Sequence, residues 1–458
     1  MLRLRASEIA TWTRGVLHGA DVAIDDVFTD SRKPVPGALF VALAGENFDG
    51  HAFLPQAEAG GAAAALVARV GEVDLPQIVV DDTLLALGRL AGAVRERRHA
   101  RVVGITGSNG KTTVKTLAAS ILAQHGKTHV NAGNLNNEIG LPLSLVALPE
   151  DARYAVLEMG AGKPGDIAYL AAIARPEIGL VNNIAPAHLE RMGTLAGIAE
   201  TKGAIYAALP PHGTAVINAD DAFADTFAAM AGARRILRFG LERPADVRAE
   251  LGASGTPSRF ALHLPDASID VALPLPGRHN VANALAAASI AHALGVPAET
   301  IKIGLETAAP VAGRLVRHEL PQGWTVIDDS YNANPGSTAA AIATVAAEPG
   351  ENWLVLGDMR ELGDDAERLH AGVGELARAS GFARLYAVGP LAAAAARTFG
   401  ARGAHFADQA ALVAALSAAL KPGVCVLVKG SRGSAMERVV AALVGGSRGN
   451  GGGARHAA

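Results

Sequence analysis

The stretch GITGSNGKTTVK, Gly104 to Lys115, decides the fold of this chain. It follows the short apolar run Arg101–Val103, so a buried strand is expected to run into a glycine-rich turn and then a helix. Small residues at Gly104, Gly107 and Gly110 let backbone N–H groups converge on an anion. Lys111 adds a point charge, and the Thr112 hydroxyl suits the magnesium that accompanies a nucleotide. The strict P-loop pattern has a glycine six residues before the lysine, where this chain has Ile105. The head of the motif is shifted by one position and its Gly-Lys-Thr tail is intact. A turn with a purely structural role would need neither the charge nor the hydroxyl.

Outward from this turn, β-like runs alternate with helical stretches. RVVGIT (101–106), YAVLEMG (154–160), IGLVNNI (178–184) and TAVINAD (214–220) each end in glycine, asparagine or an acid. That is the pattern of a mostly parallel sheet with its chemistry at the strand C-termini. A second series, WTVIDDS, NWLVLGD, RLYAVG and VCVLVKG, begins beyond AGRL (312–315). The fold class expected is α/β in three domains. Residues 1–99 form a small mixed α/β domain, 100–313 a central P-loop domain on a parallel sheet, and 314–444 a Rossmann-like domain. Residues 445–458, rich in glycine, are expected to be a disordered tail.

The length of 458 residues accommodates three such domains. A net charge of −3 with 19% charged residues leaves no basic footprint for nucleic acid. The single cysteine, Cys425, excludes an internal disulfide and fits a reducing compartment. There is no apolar run of about 18 residues, so no membrane span is expected. MLRLRASEIATW carries two early arginines and then Glu8, without the apolar core of a leader, and a soluble cytoplasmic protein follows as the expectation.

Polar residues gather at the ends of the predicted strands. Glu158 ends AVLEMG, where an acid downstream of a P-loop commonly holds magnesium directly or through water. His188, in NNIAPAHLERMG, is either a second metal ligand or a hydrogen-bonded loop histidine. Lys202, in ETKGAIY, taken alone would be a solvated helix residue. His279, Asn280 and Asn283 open an alanine-rich helix, and the two amides share a face. Capping explains one asparagine but not two amides and an imidazole together. Arg314 lies at a domain junction, suited to phosphoryl charge, and Asp329 is suited to a ribose hydroxyl. Lys429, Ser431 and Arg432 occupy another strand-to-helix turn.

The ordered set TGSNGKT, LEMGA, AHLE, TKG, GRHNVANALAAA, GRL, DDSYNANP, GDMRELG and VKGSR resembles the Mur ligases of peptidoglycan synthesis, from about residue 26 to 443. GNLNNEIGLP (133–142) and SYNANPGS favour the member that adds a dipeptide. The Asp-Asn-Pro-Arg motif of the diaminopimelate-adding ligase is absent, and YNANP stands where the alanine-adding ligase has Gly-His-His-Pro. TDSRKPVPGALFVAL argues against folylpolyglutamate synthase, which shares the central architecture. The resemblance implies an ATP-dependent amide ligase that joins D-alanyl-D-alanine to UDP-N-acetylmuramoyl-tripeptide through an acyl phosphate; a monomer is the expectation for its assembly. It implies that Gly107, Ser108, Asn109, Gly110, Lys111, Thr112 and Thr113 wrap the ATP phosphates, with Thr112, Glu158 and His188 at two Mg²⁺ sites. Lys202 would be carbamylated and also serve the metal. Asn283 and Arg314 would meet the phosphates, His279 and Asn280 the adenine, and Asp329 the ribose. Ser31 and Arg32 would hold the uridine nucleotide, Asn134, Asn136 and Asn137 the muramoyl peptide, while Asp358, Lys429 and Arg432 face the closing cleft. A P-loop ATPase without ligase activity, and a silent binding module for a UDP-sugar peptide, are the rival readings.

Overall fold

In the computed structural model, which describes residues 3–45, 48–186, 189–252 and 257–445, the strand Arg101–Thr106 lies inside the largest sheet. Among the described residues this sheet has nine strands. From one edge they run Ala267–Leu273, Ser258–Leu264, Val247–Leu251, Arg235–Gly240, Thr214–Asn218, Ile178–Val181, Arg101–Thr106, Tyr154–Glu158 and Thr128–Val130. All neighbours from Thr128–Val130 to Val247–Leu251 pair in parallel, and the last three strands are antiparallel. The chain order reverses at Arg101–Thr106: the next two strands lie on one side of it and Ile178–Val181 on the other. A reversal of this kind opens a crevice at the strand C-termini, where ligands of α/β sheets bind.

A second sheet of six strands is built from Val316–Glu319, Thr325–Asp329, Val424–Lys429, Glu351–Gly357, Arg384–Val388 and Gly403–Phe406, in that spatial order. Only the first pairing is antiparallel. Asp329 and Lys429 end neighbouring parallel strands in register. The strands of the N-terminal part form a five-stranded sheet and a two-stranded ribbon. The strands expected around the P-loop and beyond AGRL are therefore all present.

The joints between these sheets differ in chemistry. Leu87 and Leu90, on the helix Thr83–Glu96, share one hydrophobic core with Ile167 and Leu170 of the central part. Apolar packing is continuous across residue 99. The six-stranded sheet instead carries its own cores, around Leu356 and Ile342 on one face and Trp353 and Val426 on the other. The crossing near residue 313 runs through Gly313 at φ 70° and Leu315 at φ 52°. A left-handed leucine is unusual and marks a backbone that the surrounding contacts hold in place.

His188 and residues 446–458 lie outside the described residues. Gly445, placed in the tail by the sequence, closes the helix Glu437–Gly445. Among the described residues, no helix is long and apolar enough to cross a membrane.

Candidate functional site

The helix Lys111–Ala123 starts at Gly110, which has φ 79° and supplies no side-chain cap. Its first N–H groups therefore face the crevice with the positive end of the helix dipole behind them. The loop before it is tied to the segment after Ile178–Val181. The Ser108 and Asn109 N–H groups donate to Asn183 O at 2.8 Å and Asn183 Oδ1 at 2.9 Å. The Asn182 amide donates to Asn109 O at 3.0 Å and to Asn283 Oδ1 at 2.9 Å. Asn283 in turn donates to Asn280 Oδ1 at 3.2 Å, as their helical spacing implies. A Cβ on Gly110 would lie 2.4 Å from Asn283 Oδ1, so only glycine fits this position both by space and by backbone angle. Gly110→Ala should therefore lower nucleotide affinity by at least about tenfold, measured by titration with ADP.

Glu158, at the end of Tyr154–Glu158, is buried and fully engaged. Its Oε2 accepts the Thr112 hydroxyl at 2.9 Å, its Oε1 accepts the Asn136 amide at 2.7 Å, and Lys115 Nζ lies at 3.5 Å. Burial alone pushes this carboxyl up, but the charges of Lys111 and Lys115 and the two hydrogen bonds outweigh it and hold it below its ordinary value. An ionised acid beside a threonine hydroxyl offers hard oxygen donors that suit Mg²⁺, which takes few protein ligands and keeps waters and phosphate oxygens. The described residues contain no group of three or more His, Cys, Asp or Glu poised for a metal. Lys111 is partly buried rather than exposed, and its Nζ donates to Gly107 O at 2.8 Å and Ser108 O at 3.4 Å.

The six-stranded sheet contributes the opposite wall. Arg314 donates from Nη2 to the Thr112 hydroxyl at 2.9 Å, and its guanidinium lies over the Tyr331 ring at 4.6 Å. Arg432 lies over the same ring at 5.8 Å. An aromatic face holds a guanidinium without neutralising it, so the charge stays available to phosphate oxygens. Among the described residues, Arg314 Nε is buried without a partner. Asp329 and Lys429 form a buried pair at 2.5 Å, where burial raises the Asp329 pKa against the pull of Lys429. His279 is pushed down to about 4 by burial and by the Lys429 charge, so its imidazole is neutral near pH 7.

These residues surround one cavity of about 750 Å³, within the range of small-molecule sites. Its wall includes the loop residues Ser108 to Thr113, together with Asn134, Asn136, Asn137 and Glu158. His279, Asn280, Asn283, Arg314, Asp329, Lys429 and Arg432 complete it. The structure thus brings together most of the positions singled out in the sequence, from strands up to about three hundred residues apart.

Other positions fall elsewhere. Lys202 is buried on the helix Leu195–Ala207 and does not line the cavity; it is not solvated, and it has no hydrogen bond among the described residues. Ser31 is buried against Gln56, at 2.9 Å, and exposed Arg32 pairs with Asp30; both belong to the N-terminal part and lie away from the cavity. Asp358 was expected to face the cleft and does not. It is buried, and its Oδ1 accepts the N–H groups of Leu391 at 3.1 Å and Ala392 at 2.8 Å. A carboxylate that satisfies buried and part-buried backbone donors in this way is held inside its own domain. The structure also adds residues that the sequence reading passed over: Lys115, Asn182, Asn183, Tyr331 and Asn334. The doubled asparagine ending IGLVNNI, and a second lysine one helical turn after Lys111, were the available signals.

Comparison with known proteins agrees with this arrangement. Three family profiles match in order: Mur ligase family, catalytic domain, at residues 23–95; Mur ligase middle domain, at 105–291; and Mur ligase, glutamate ligase domain, at 313–432. The UDP-N-acetylmuramoyl-tripeptide–D-alanyl-D-alanine ligase of Escherichia coli (strain K12) is 46% identical over 447 residues, covering 97% of this chain and 99% of the relative. The crystal structure of MurF from Acinetobacter baumannii is 36% identical with a TM-score of 0.92, covering 97% of this chain and 99% of that one. MurF ligase from Thermotoga maritima, solved in complex with ADP, is 28% identical with a TM-score of 0.82, covering 92% and 97%. With a three-part match in sequence, a shared fold over nearly its whole length and a P-loop cavity between two sheets, the chain belongs to the Mur ligase family.

Proposed function

We propose that this protein is the ATP-dependent ligase that adds D-alanyl-D-alanine to UDP-N-acetylmuramoyl-tripeptide, releasing ADP and phosphate. The observation that carries the reading is the convergence on Thr112: its hydroxyl meets Glu158 of the central sheet and Arg314 of the C-terminal part. A cavity wall that carries Lys111, Arg314, Lys429 and Arg432 among neutral amides is suited to align and neutralise phosphates. The long identity to curated ligases of this name supports the choice of substrates. We divide the chain into domains 1–99, 100–313 and 314–444, as the separate sheets suggest.

The tripeptide's terminal carboxylate is a poor electrophile. Its attack on the γ-phosphorus of ATP forms a C–O–P linkage and breaks the bond to the β-phosphate oxygen, releasing ADP. The dipeptide amine then attacks the acyl carbon and phosphate leaves. Gly107–Thr113 hold the phosphates, with Lys111 on the β- and γ-oxygens, and Asn283 and Arg314 bind the nucleotide from the other wall. His279 and Asn280 adjoin the adenine, and Asp329 takes the ribose. Ser31 and Arg32 receive the uridine nucleotide, Asn134, Asn136 and Asn137 the muramoyl peptide, and Lys429 and Arg432 line the cleft.

Thr112 and Glu158 are the groups that fit Mg²⁺, with His188 as the third residue of this assignment, and Mg²⁺ when bound supplies charge neutralisation at the phosphates. Lys202 is assigned as a carbamate: the ammonium first loses a proton, and the neutral amine then adds CO₂ and releases a second proton, leaving an anion. Its burial with no hydrogen-bond partner among the described residues, and a pKa pushed down to about 7 chiefly by burial and then by the Lys111 charge, support that chemistry. A monomeric cytoplasmic enzyme completes the reading.

One assay tests it. Phosphate release with ATP and UDP-N-acetylmuramoyl-tripeptide should rise at least about tenfold when D-alanyl-D-alanine is added. Release that is independent of any amine would mark an ATPase instead.

A further inference from the structure

Asn334 uses both ends of its amide. It precedes the helix Pro335–Ala346, and its Oδ1 accepts the Ser337 N–H at 2.9 Å, while the Ser337 hydroxyl accepts the Asn334 N–H at 3.1 Å. This capping exchange commits the carbonyl end and so fixes the direction of the amide. The Nδ2 end then points across the cleft and donates to Asn109 Oδ1 at 2.7 Å. Asn109 lies in the P-loop, and the central sheet already grips its backbone. Its N–H donates to Asn183 Oδ1, and its carbonyl accepts the amides of Asn182 at 3.0 Å and Asn183 at 3.2 Å. Its side-chain oxygen is held from the other domain.

The cap does not explain why this residue is an asparagine. Serine or aspartate caps a helix as well, and neither offers a donor of this reach. A lysine would reach but would add charge beside the phosphates. Only a neutral amide both caps the helix and bridges to the loop without altering the electrostatics of the site.

We propose that Asn334 is a positioning residue that couples docking of the C-terminal domain to the shape of the P-loop. The loop takes its working geometry only when the helix Pro335–Ala346 is seated against Asn109. This rests on the ligase reading above, and its consequence is that turnover, more than nucleotide binding, depends on Asn334.

The test compares Asn334→Ser and Asn334→Asp with the wild-type enzyme. Both keep the cap and lose the bridge, and the serine variant adds no charge. Asn334→Ser should lower kcat about tenfold, change the KM for ATP less than about threefold and leave the melting temperature within a few degrees of wild type. Adding Asn109→Ala to it should cost nothing further, because both changes remove the same hydrogen bond. Hydrogen exchange of backbone amides 107–113 with ADP bound should quicken in Asn334→Ser, and this readout holds whatever reaction the wild type performs. Unchanged exchange, full kcat with wild-type ligation intact, a parallel fall in melting temperature, or losses that multiply in the double variant would each overturn the proposal. A wild type that does not respond to D-alanyl-D-alanine while the exchange quickens would instead sink the ligase reading and leave the coupling standing.

Discussion

Lys111→Ala should reduce ligation by at least about a hundredfold while the protein still unfolds within a few degrees of wild type. The lysine supplies positive charge to a loop whose backbone is otherwise held by the neutral amides of Asn182 and Asn183. Among the described residues, its ammonium bonds only to the carbonyls of Gly107 and Ser108. Those two bonds make the loss of stability small but not nil, since each is worth about 1 kcal/mol. Burial pushes the amine pKa down, and the Glu158 charge opposes this. The measurement pairs dipeptide-dependent phosphate release with thermal unfolding of both proteins. Near-normal turnover in the variant would remove the P-loop from the mechanism.

Lys202→Met should do something less common: stabilise the protein and abolish its activity. The folded-state pKa of about 7 lies below the ordinary 10.5. Between those values the unfolded chain holds a proton that the folded chain lacks, so stability rises with pH through this window. The cost of burying the ammonium is fully present below about pH 7 and gone above about pH 10.5. Methionine fills similar space without a charge. Its gain in melting temperature, about 2 °C or more at pH 6 in bicarbonate-free buffer, should shrink steadily toward pH 10. Ligation should fall at least about a hundredfold, because no anion can form at this position. In Lys202→Ala, short carboxylates should restore part of the activity, and in Lys202→Arg they should not, since a fixed cation occupies the space. An active Lys202→Met enzyme would rule out the carbamate.

Much of this was legible in the chain. Every strand expected from RVVGIT to VCVLVKG formed, because continuous apolar runs bounded by glycine and polar residues have no other stable place than a covered parallel sheet. The strand-end residues Glu158 and Asp329 could be found for the same reason: a parallel sheet puts its C-termini on one edge. Asp358 shows the limit of that rule. It directly follows a strand, Glu351–Gly357, but the backbone turn at Leu391 and Ala392 claims its carboxylate, and nothing local announces that turn. Lys115 was signalled only by its spacing from Lys111. Its helix turn resembles a solvated face in sequence, yet its ammonium is buried against Asn131 O at 2.9 Å and Gly133 O at 3.1 Å.

By itself, then, the sequence determined the sheets, the P-loop and the order of the motifs, since these follow from local spacing and hydrophobic pattern. Only the tertiary structure decided which motifs meet. Arg314 reaches Thr112, and Asn334 reaches Asn109, across more than two hundred residues of chain. It also decided how the parts are joined: apolar at residue 99, where Leu87 and Leu90 share a core with Ile167 and Leu170, and polar at the cleft beyond residue 313. Separating the first joint exposes hydrocarbon to water, at roughly 25 cal/mol per Å². Separating the second exchanges a few hydrogen bonds for bonds to water, at little net cost. The cleft is thus the joint held by polar contacts, a property of packed surfaces that no single segment contains.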